Sequence, residues 1–448
     1  MMLESSPVNI RRIRKLNRNF FLHIHAPKIH PYALRPGYTL GLGLILAFLF
    51  LFMIVSGLVL MLHYTPSVER AYDSVRDINF IVPGGRIIRN LHRWGAHGMV
   101  LVSFLHLMRV FYTGSYLRSR ATNWVIGVCM LVVVLFMNFS GYLLPWDQLA
   151  YWAVTIGSNI AASARELTDL LGITGVFDPG GFLRKLLIGG ETVGQQALRR
   201  FFMLHAVFLP LTLLVLCGVH FWRIRKDGGL NIPEAKGEKW YSWPVLMWAE
   251  LATLLCVVVT LLAMALVVDA PLREPANPAF PDNPAKSPWY FLGIQELVSH
   301  SAFSGGMLIP LLFIAFLVSI PYIDREDRYA GTWFSSVSGI RTSLVSVCLS
   351  VVVAVVLTAL SVRLGWFGNH AGGWLRVLAM VVNPATLMAA SCILWSLIVR
   401  KRTASTRLSA MALFSFGIAA YAVFTALGLW FRGPDWEFYW PGATWPVY

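Results

Sequence analysis

Apolar runs of about 20 residues, almost free of charge, recur along this chain and limit its fold more than any other feature. At about 1.5 Å of rise per residue, a helical run of about 20 crosses the roughly 30 Å hydrocarbon core of a bilayer. Within that core each backbone N–H and C=O must be satisfied inside the protein, and a helix does this alone. Nine spans are expected, at about 39–63, 88–113, 123–144, 201–223, 243–268, 305–322, 342–363, 374–399 and 408–431. With 57% hydrophobic and only 13% charged residues, disorder is excluded and a soluble globule is disfavoured. The expected class is an all-α polytopic membrane protein.

The net charge of +15 would point to nucleic acid in a soluble protein. Here the basic residues sit in the connections, and no nucleic-acid partner is expected. Cations gather on the cytoplasmic side of membrane proteins. Arg400, Lys401 and Arg402, with Arg223, Arg225 and Lys226, place the basic N-terminal segment (Arg11, Arg12, Arg14, Lys15, Arg18) inside. The basic start is followed by no early apolar stretch, so no cleavable signal is expected. Cys129, Cys217, Cys256, Cys348 and Cys392 fall singly in apolar runs, which indicates neither a disulfide framework nor a zinc site nor a covalent haem motif. The outer connections 145–200 and 269–304 are long enough to carry function, and 162–171 reads as a short surface helix. The aromatic tail 436–445 suits the membrane interface.

The second span carries His92 and His106, and the fourth carries His205 and His220, spaced 14 and 15 residues apart. At about 100° per residue these steps end within roughly 40° and 60° of the starting face, and each pair lies roughly 21–22 Å apart along its helix. Both helices run inward. Side by side, His92 faces His205 near the outer surface and His106 faces His220 near the inner one. Two bis-imidazole sites result. Imidazole on both axial positions suits a low-spin haem that only passes electrons. A single histidine in a span is as readily a hydrogen-bonded bundle residue, and His97, with no counterpart on the fourth span, is read that way. Four in two matched pairs point to function, as ionisable residues inside spans do by default.

Two other spans repeat the period. The first carries Gly43 and Gly57 and the third Gly127 and Gly141, each pair 14 apart. Glycine lets helix backbones approach a flat macrocycle, although small residues also serve ordinary packing in membranes. Arg89, Arg93, Arg109 and Arg200 lie near the histidines or helix ends and are candidates to pair with haem propionates. Interfacial snorkelling explains Arg93 equally well.

These residues, with Gly141-Tyr-Leu-Leu-Pro-Trp146 and Arg200-Phe-Phe-Met-Leu-His205, resemble cytochrome b of quinol:cytochrome c oxidoreductases. His92-Arg-Trp94 and Pro145-Trp-Asp-Gln-Leu-Ala-Tyr-Trp152 are closer to the photosynthetic bf-type branch. The resemblance implies a four-helix dihaem bundle followed by about five further spans. It divides the chain into a basic segment at 1–36, a haem domain at 37–230, a three-helix quinol-site domain at 231–365, and two extra spans with the aromatic tail at 366–448. It also implies a mechanism. Quinol bound near the outer haem gives one electron to a Rieske iron–sulfur protein and one to the haem at His92/His205. That electron passes to the haem at His106/His220 and reduces quinone near the inner face, with protons released outside and taken up inside. The implied partners are the Rieske protein, a c-type cytochrome, quinone, membrane lipid and a second copy of the chain. The implied location is the bacterial inner membrane, with the N-terminus cytoplasmic.

The sequence departs from the family in two places. The family's Pro-Glu-Trp-Tyr motif, whose Glu accepts a quinol proton, aligns with Ser287-Pro288-Trp289-Tyr290. Proline accepts no proton, so the task is expected to fall to Glu296, with Asp147 second; a carboxylate in an apolar setting is tuned for it. A helix-terminal role without chemistry is the other reading of Glu296. Trp289, Tyr290 and Tyr142 complete the expected outer site. The bf-type branch attaches a third haem to a Cys where this chain has Gly41, so no covalent haem is expected. Two competing functions are a dihaem quinone-reactive anchor of a non-bifurcating dehydrogenase or reductase, and a transporter. The transporter lacks the pair of broken spans that mark a midplane site.

Overall fold

The computed structural model describes residues 25–233, 238–326, 330–364 and 382–445. The N-terminal arginines and lysine named above, and positions 374–381 of the eighth expected span, lie outside the described residues. Four long helices come first: α1 (Leu42–Met61), α3 (Gly85–Tyr112), α4 (Ala121–Tyr142) and α8 (Gln195–Lys226), with α2 (Ala71–Phe80) between the first two. The connection between α4 and α8 folds into α5 (Gln148–Ala162), α6 (Arg165–Leu170) and α7 (Pro179–Ile188). Then come α9 (Val245–Val267), a short α10 (Trp289–His300), α11 (Ser304–Ile323), α12 (Val337–Leu364), α13 (Pro384–Thr403) and α14 (Thr406–Trp430). A two-residue ladder, Lys28–Ile29 against Trp240–Tyr241, ties the N-terminal side to the approach of α9.

Eight of these helices are long and apolar enough to cross a membrane: α1, α3, α4, α8, α9, α11, α12 and α14. The eighth expected span coincides in its described part with α13. It is 20 residues long and ends in Arg400, Lys401 and Arg402, cations that favour a helix C-terminus but cut its apolar character. The long connection 145–200 is largely helical, with Asp147 and Asp178 capping α5 and α7 by accepting from the N–H groups of Ala150 and Gly181. Leu58, Val259, Val352 and Leu394 remain exposed, as a lipid-facing surface requires.

The last span is built into the core. Of its most apolar stretch 44% is buried, against 6% for α8. Phe414 stacks on Phe111 of α3 with centroids 3.9 Å apart. Lipid offers no hydrophobic drive between helices, so packing and hydrogen bonds must hold them. Arg407 supplies several. Its guanidinium is buried, donates to the Phe111 carbonyl at 2.9 Å, to Ser335 Oγ at 3.1 Å and to the Tyr116 hydroxyl, and lies 3.4 Å from Asp324. Glu326 caps the start of α14, accepting from the hydroxyls of Ser405 at 2.8 Å and Thr406 at 2.9 Å.

α8 and α11 each contain one π-turn, at Leu204–Phe208 and Ser304–Leu308. Each is followed two residues on by a proline, Pro210 or Pro310, which has no N–H to continue the α ladder. A π-turn absorbs one extra residue. This accounts for the 15-residue histidine spacing on α8 beside the 14-residue spacing on α3.

Candidate functional site

The four glycines face the four histidines one to one. A Cβ added at Gly57 would lie 3.2 Å from His92 Cε1, and at Gly43 3.5 Å from His106 Cε1. At Gly141 it would lie 2.5 Å from His205 Cε1, and at Gly127 3.9 Å from His220 Cε1. The pairings alternate along antiparallel α1/α3, where both periods are 14, and along α4/α8, where the π-turn takes up the fifteenth residue. The glycines thus make room for the imidazoles themselves. At Gly57 and Gly141 no methyl group fits unless the ring moves.

The outer rings, His92 and His205, have centroids 6.1 Å apart. Two imidazoles bonded to one metal ion from opposite sides, at about 2.0–2.1 Å per bond, have centroids about 6 Å apart. Their hydrogen bonds fix which nitrogen is free. His205 Nδ1 lies 2.9 Å from the Met137 carbonyl, which only accepts, so Nδ1 carries the proton. Ser56 spends its hydroxyl hydrogen on the Phe52 carbonyl at 2.6 Å and accepts from His92 Nδ1 at 2.9 Å. Both Nε2 atoms are left with bare lone pairs, the state a metal ligand needs. At the inner level His106 lies within electrostatic range of His220, and its Nδ1 is buried without a hydrogen-bond partner. Each level offers two protein donors and leaves the other positions of an iron to a macrocycle. The residues fit a b-type haem at each level.

The arginines divide. Arg93 Nε and Arg109 Nη2 are buried without acceptors, one near each histidine level, and suit an anionic propionate. Arg93 also lies over the Tyr142 ring at 5.2 Å and Arg109 over Tyr38 at 4.5 Å. Arg89 and Arg200, expected to act alike, are committed to backbone carbonyls. Arg89 donates to Ala270 at 2.8 Å and to Pro271 at 2.6 Å, while Arg200 donates to Lys185 at 2.8 Å and holds the end of α7.

The outer histidines open into a cavity that is also lined by Arg93, His97, Tyr142 and Tyr290. Burial holds the Tyr290 phenol well above its ordinary range. Trp289 Nε1 donates to His97 Nδ1 at 2.9 Å. The expected carboxylates are elsewhere. Glu296, also on α10, is 1% exposed and engaged by Arg432 Nε at 3.0 Å, a second Arg432 nitrogen, and Trp436 Nε1 at 2.9 Å. Its acceptor sites face the end of α14, and it does not border the cavity. The carboxylate expected to serve as the quinol base is thus held by Arg432 and Trp436 in this structure. Asp147 is committed as well: its oxygens accept from the N–H groups of Ala150 at 2.9 Å and Arg273 at 3.1 Å. Burial raises its carboxyl above the usual range, against the pull of those N–H groups and of Arg89 and Arg93. Arg432, Ser56 and the His97–Trp289 pair were not singled out by any local pattern. Each works through a partner distant in sequence.

A family model described as cytochrome b/b6/petB matches residues 28–228. Cytochrome b6 of Prochlorococcus marinus (strain MIT 9211) is 42% identical over 187 residues, which is 42% of this chain and 80% of that protein. Cytochrome b6 of Synechococcus sp. (strain RCC307) is 41% identical over the same shares. A solved chain of a hyperthermophilic respiratory Complex III shares the fold, with a TM-score of 0.62 and 23% identity over 91% of this chain and 98% of that one. With most of a relative's length matched at this identity, and its histidines and glycines paired as described, the chain belongs to the cytochrome b/b6 family of b-haem membrane proteins.

Proposed function

We propose that this chain is the dihaem cytochrome b of a Rieske-type quinol:cytochrome c oxidoreductase, oxidising quinol at the outer face. The observation that carries the reading is the pair of facing histidine sets, each imidazole backed by its own glycine. When bound, two non-covalent haems supply one-electron transfer between the membrane faces. The chain's own residues do the rest. His92, His205, His106 and His220 hold the groups, and Ser56 and the Met137 carbonyl fix the outer rings. Arg93 and Arg109 balance anionic side groups. Trp289, Tyr290, Tyr142 and His97 shape the cavity beside the outer pair, where a quinol ring would sit. Quinol gives up two electrons and two protons in becoming quinone. One electron goes to an iron–sulfur partner and one enters the membrane path; the protons leave at the outer side and others are taken up inside. An inner quinone site near His106/His220 and a c-type cytochrome beyond the iron–sulfur protein complete the circuit.

In this reading 37–230 is the haem domain, 231–365 the quinol-site domain and 366–448 a brace, all in a bacterial inner membrane with the N-terminus cytoplasmic and the complex dimeric. The absence of a cysteine at position 41 supports two haems without a covalent third. The test is rapid mixing of the purified complex with decylubiquinol or menadiol. Reduction of b-type haem that requires the oxidised iron–sulfur protein supports the proposal. Equal reduction after removal of that protein would favour a non-bifurcating dihaem anchor.

A further inference from the structure

The geometry points to His97 as a hydrogen-bond donor to a quinone oxygen, held in its donating form by Trp289. The inference rests on the quinol-oxidising reading above and adds a substrate-binding residue to it. An indole N–H can only donate. Its bond to His97 Nδ1, at 2.9 Å, therefore uses the lone pair of the imidazole, and the proton of the neutral ring is left on Nε2. His97 lines the cavity that also holds His92 and His205, and no hydrogen bond to its Nε2 occurs among the described residues. The ring is clamped between Trp94, centroid distance 5.3 Å, and Tyr290, 5.6 Å, so its direction is set before a ligand arrives. Besides His92 and His205, the charged and ionisable groups lining the cavity with His97 are Arg89 and Arg93 from the same helix, Tyr64, Tyr142 from α4 and Tyr290 from α10. None is a carboxylate that would compete for the Nε2 proton. A planar ring with a carbonyl or phenolic oxygen, the chemistry of quinone and quinol alike, is the ligand such a donor between aromatic rings accepts. Nδ1 cannot take up a proton while Trp289 holds it, so His97 binds the substrate oxygen and does not act as the base. Trp289 is the positioning residue: it touches the imidazole and acts through it.

The test compares His97→Leu, His97→Gln and Trp289→Phe in the purified complex with decylubiquinol and with menadiol. Outer-haem content is read from the spectrum, KM and kcat are measured separately, and retention of the oxidised quinone is read by equilibrium dialysis. A neutral hydrogen bond is worth about 0.5–1.5 kcal/mol net, so His97→Leu raises KM and weakens quinone retention roughly threefold to tenfold, with little change in kcat. His97→Gln keeps an N–H donor and recovers most of the loss. Trp289→Phe keeps the packing, releases the tautomer and weakens binding about twofold to threefold. It decides the matter if His97→Leu disturbs haem binding. Unchanged KM and retention in both Trp289→Phe and His97→Leu would overturn the role of His97, even if quinol still reduced the haem. Failure of the unmodified complex to be reduced by either quinol would instead overturn the quinol reading itself.

Discussion

His205→Ala removes the outer b-type haem and spares the inner one. The expected spectrum keeps about half of the b-type absorbance, from a haem of one potential. The argument is local. His92 and His205 form one level, with centroids 6.1 Å apart, and their supports are Ser56, the Phe52 and Met137 carbonyls, Gly57 and Gly141. None of these touches His106 or His220, which have Gly43 and Gly127 opposite them. The levels are separated by about four helical turns, so removing one imidazole leaves the other level's packing intact. Electron flow from quinol to the inner face stops, because the path loses its first carrier. Loss of both haems from a folded protein would argue against two separate sites.

Arg407→Ala destabilises the complex by about 3–5 kcal/mol, because it leaves a buried carboxylate without its cation. Arg407 is the meeting point of α14, α3 and the loop after α11: it serves the Phe111 carbonyl, Ser335, Tyr116 and Asp324 at once. A single substitution leaves buried Asp324 without its cation and removes a donor from the Phe111 carbonyl, Ser335 and Tyr116. Arg407→Lys keeps the charge but not the fork of donors, and recovers only part of the loss. The measurement is the temperature at which haem absorbance is lost in detergent. An unchanged midpoint for Arg407→Ala would mean that α14 is held by apolar contacts such as Phe111–Phe414 alone.

The pairing of histidines with glycines was legible in the sequence because two helical periods and two glycine periods run in step, and periodicity survives folding. The spans were legible because lipid imposes a length on them. The two extra spans were legible as spans, but not how the last of them packs: Phe414 and Arg407 sit in the core of the bundle. Nothing near Arg407 in the sequence announces Asp324, 83 residues away. Glu296 illustrates the same limit. Its position in an apolar helix suggested a base, and the Arg432 guanidinium that engages it lies 136 residues on, where no local pattern points to it. The extra residue between His205 and His220 was visible as a number, and only the π-turn at Leu204–Phe208 gives it a cause. His97 was set aside for lack of a mate on the fourth span. Its mate is an indole on α10.

The most direct measurement is the haem stoichiometry of the purified chain, taken with its low-temperature paramagnetic resonance spectrum. Two non-covalent b-type haems per chain, both low-spin, are predicted, because His92 with His205 and His106 with His220 would supply two imidazoles to each iron. One haem per chain, or a high-spin iron with an open axial position in the undamaged protein, would contradict the pairing of His92 with His205 and of His106 with His220.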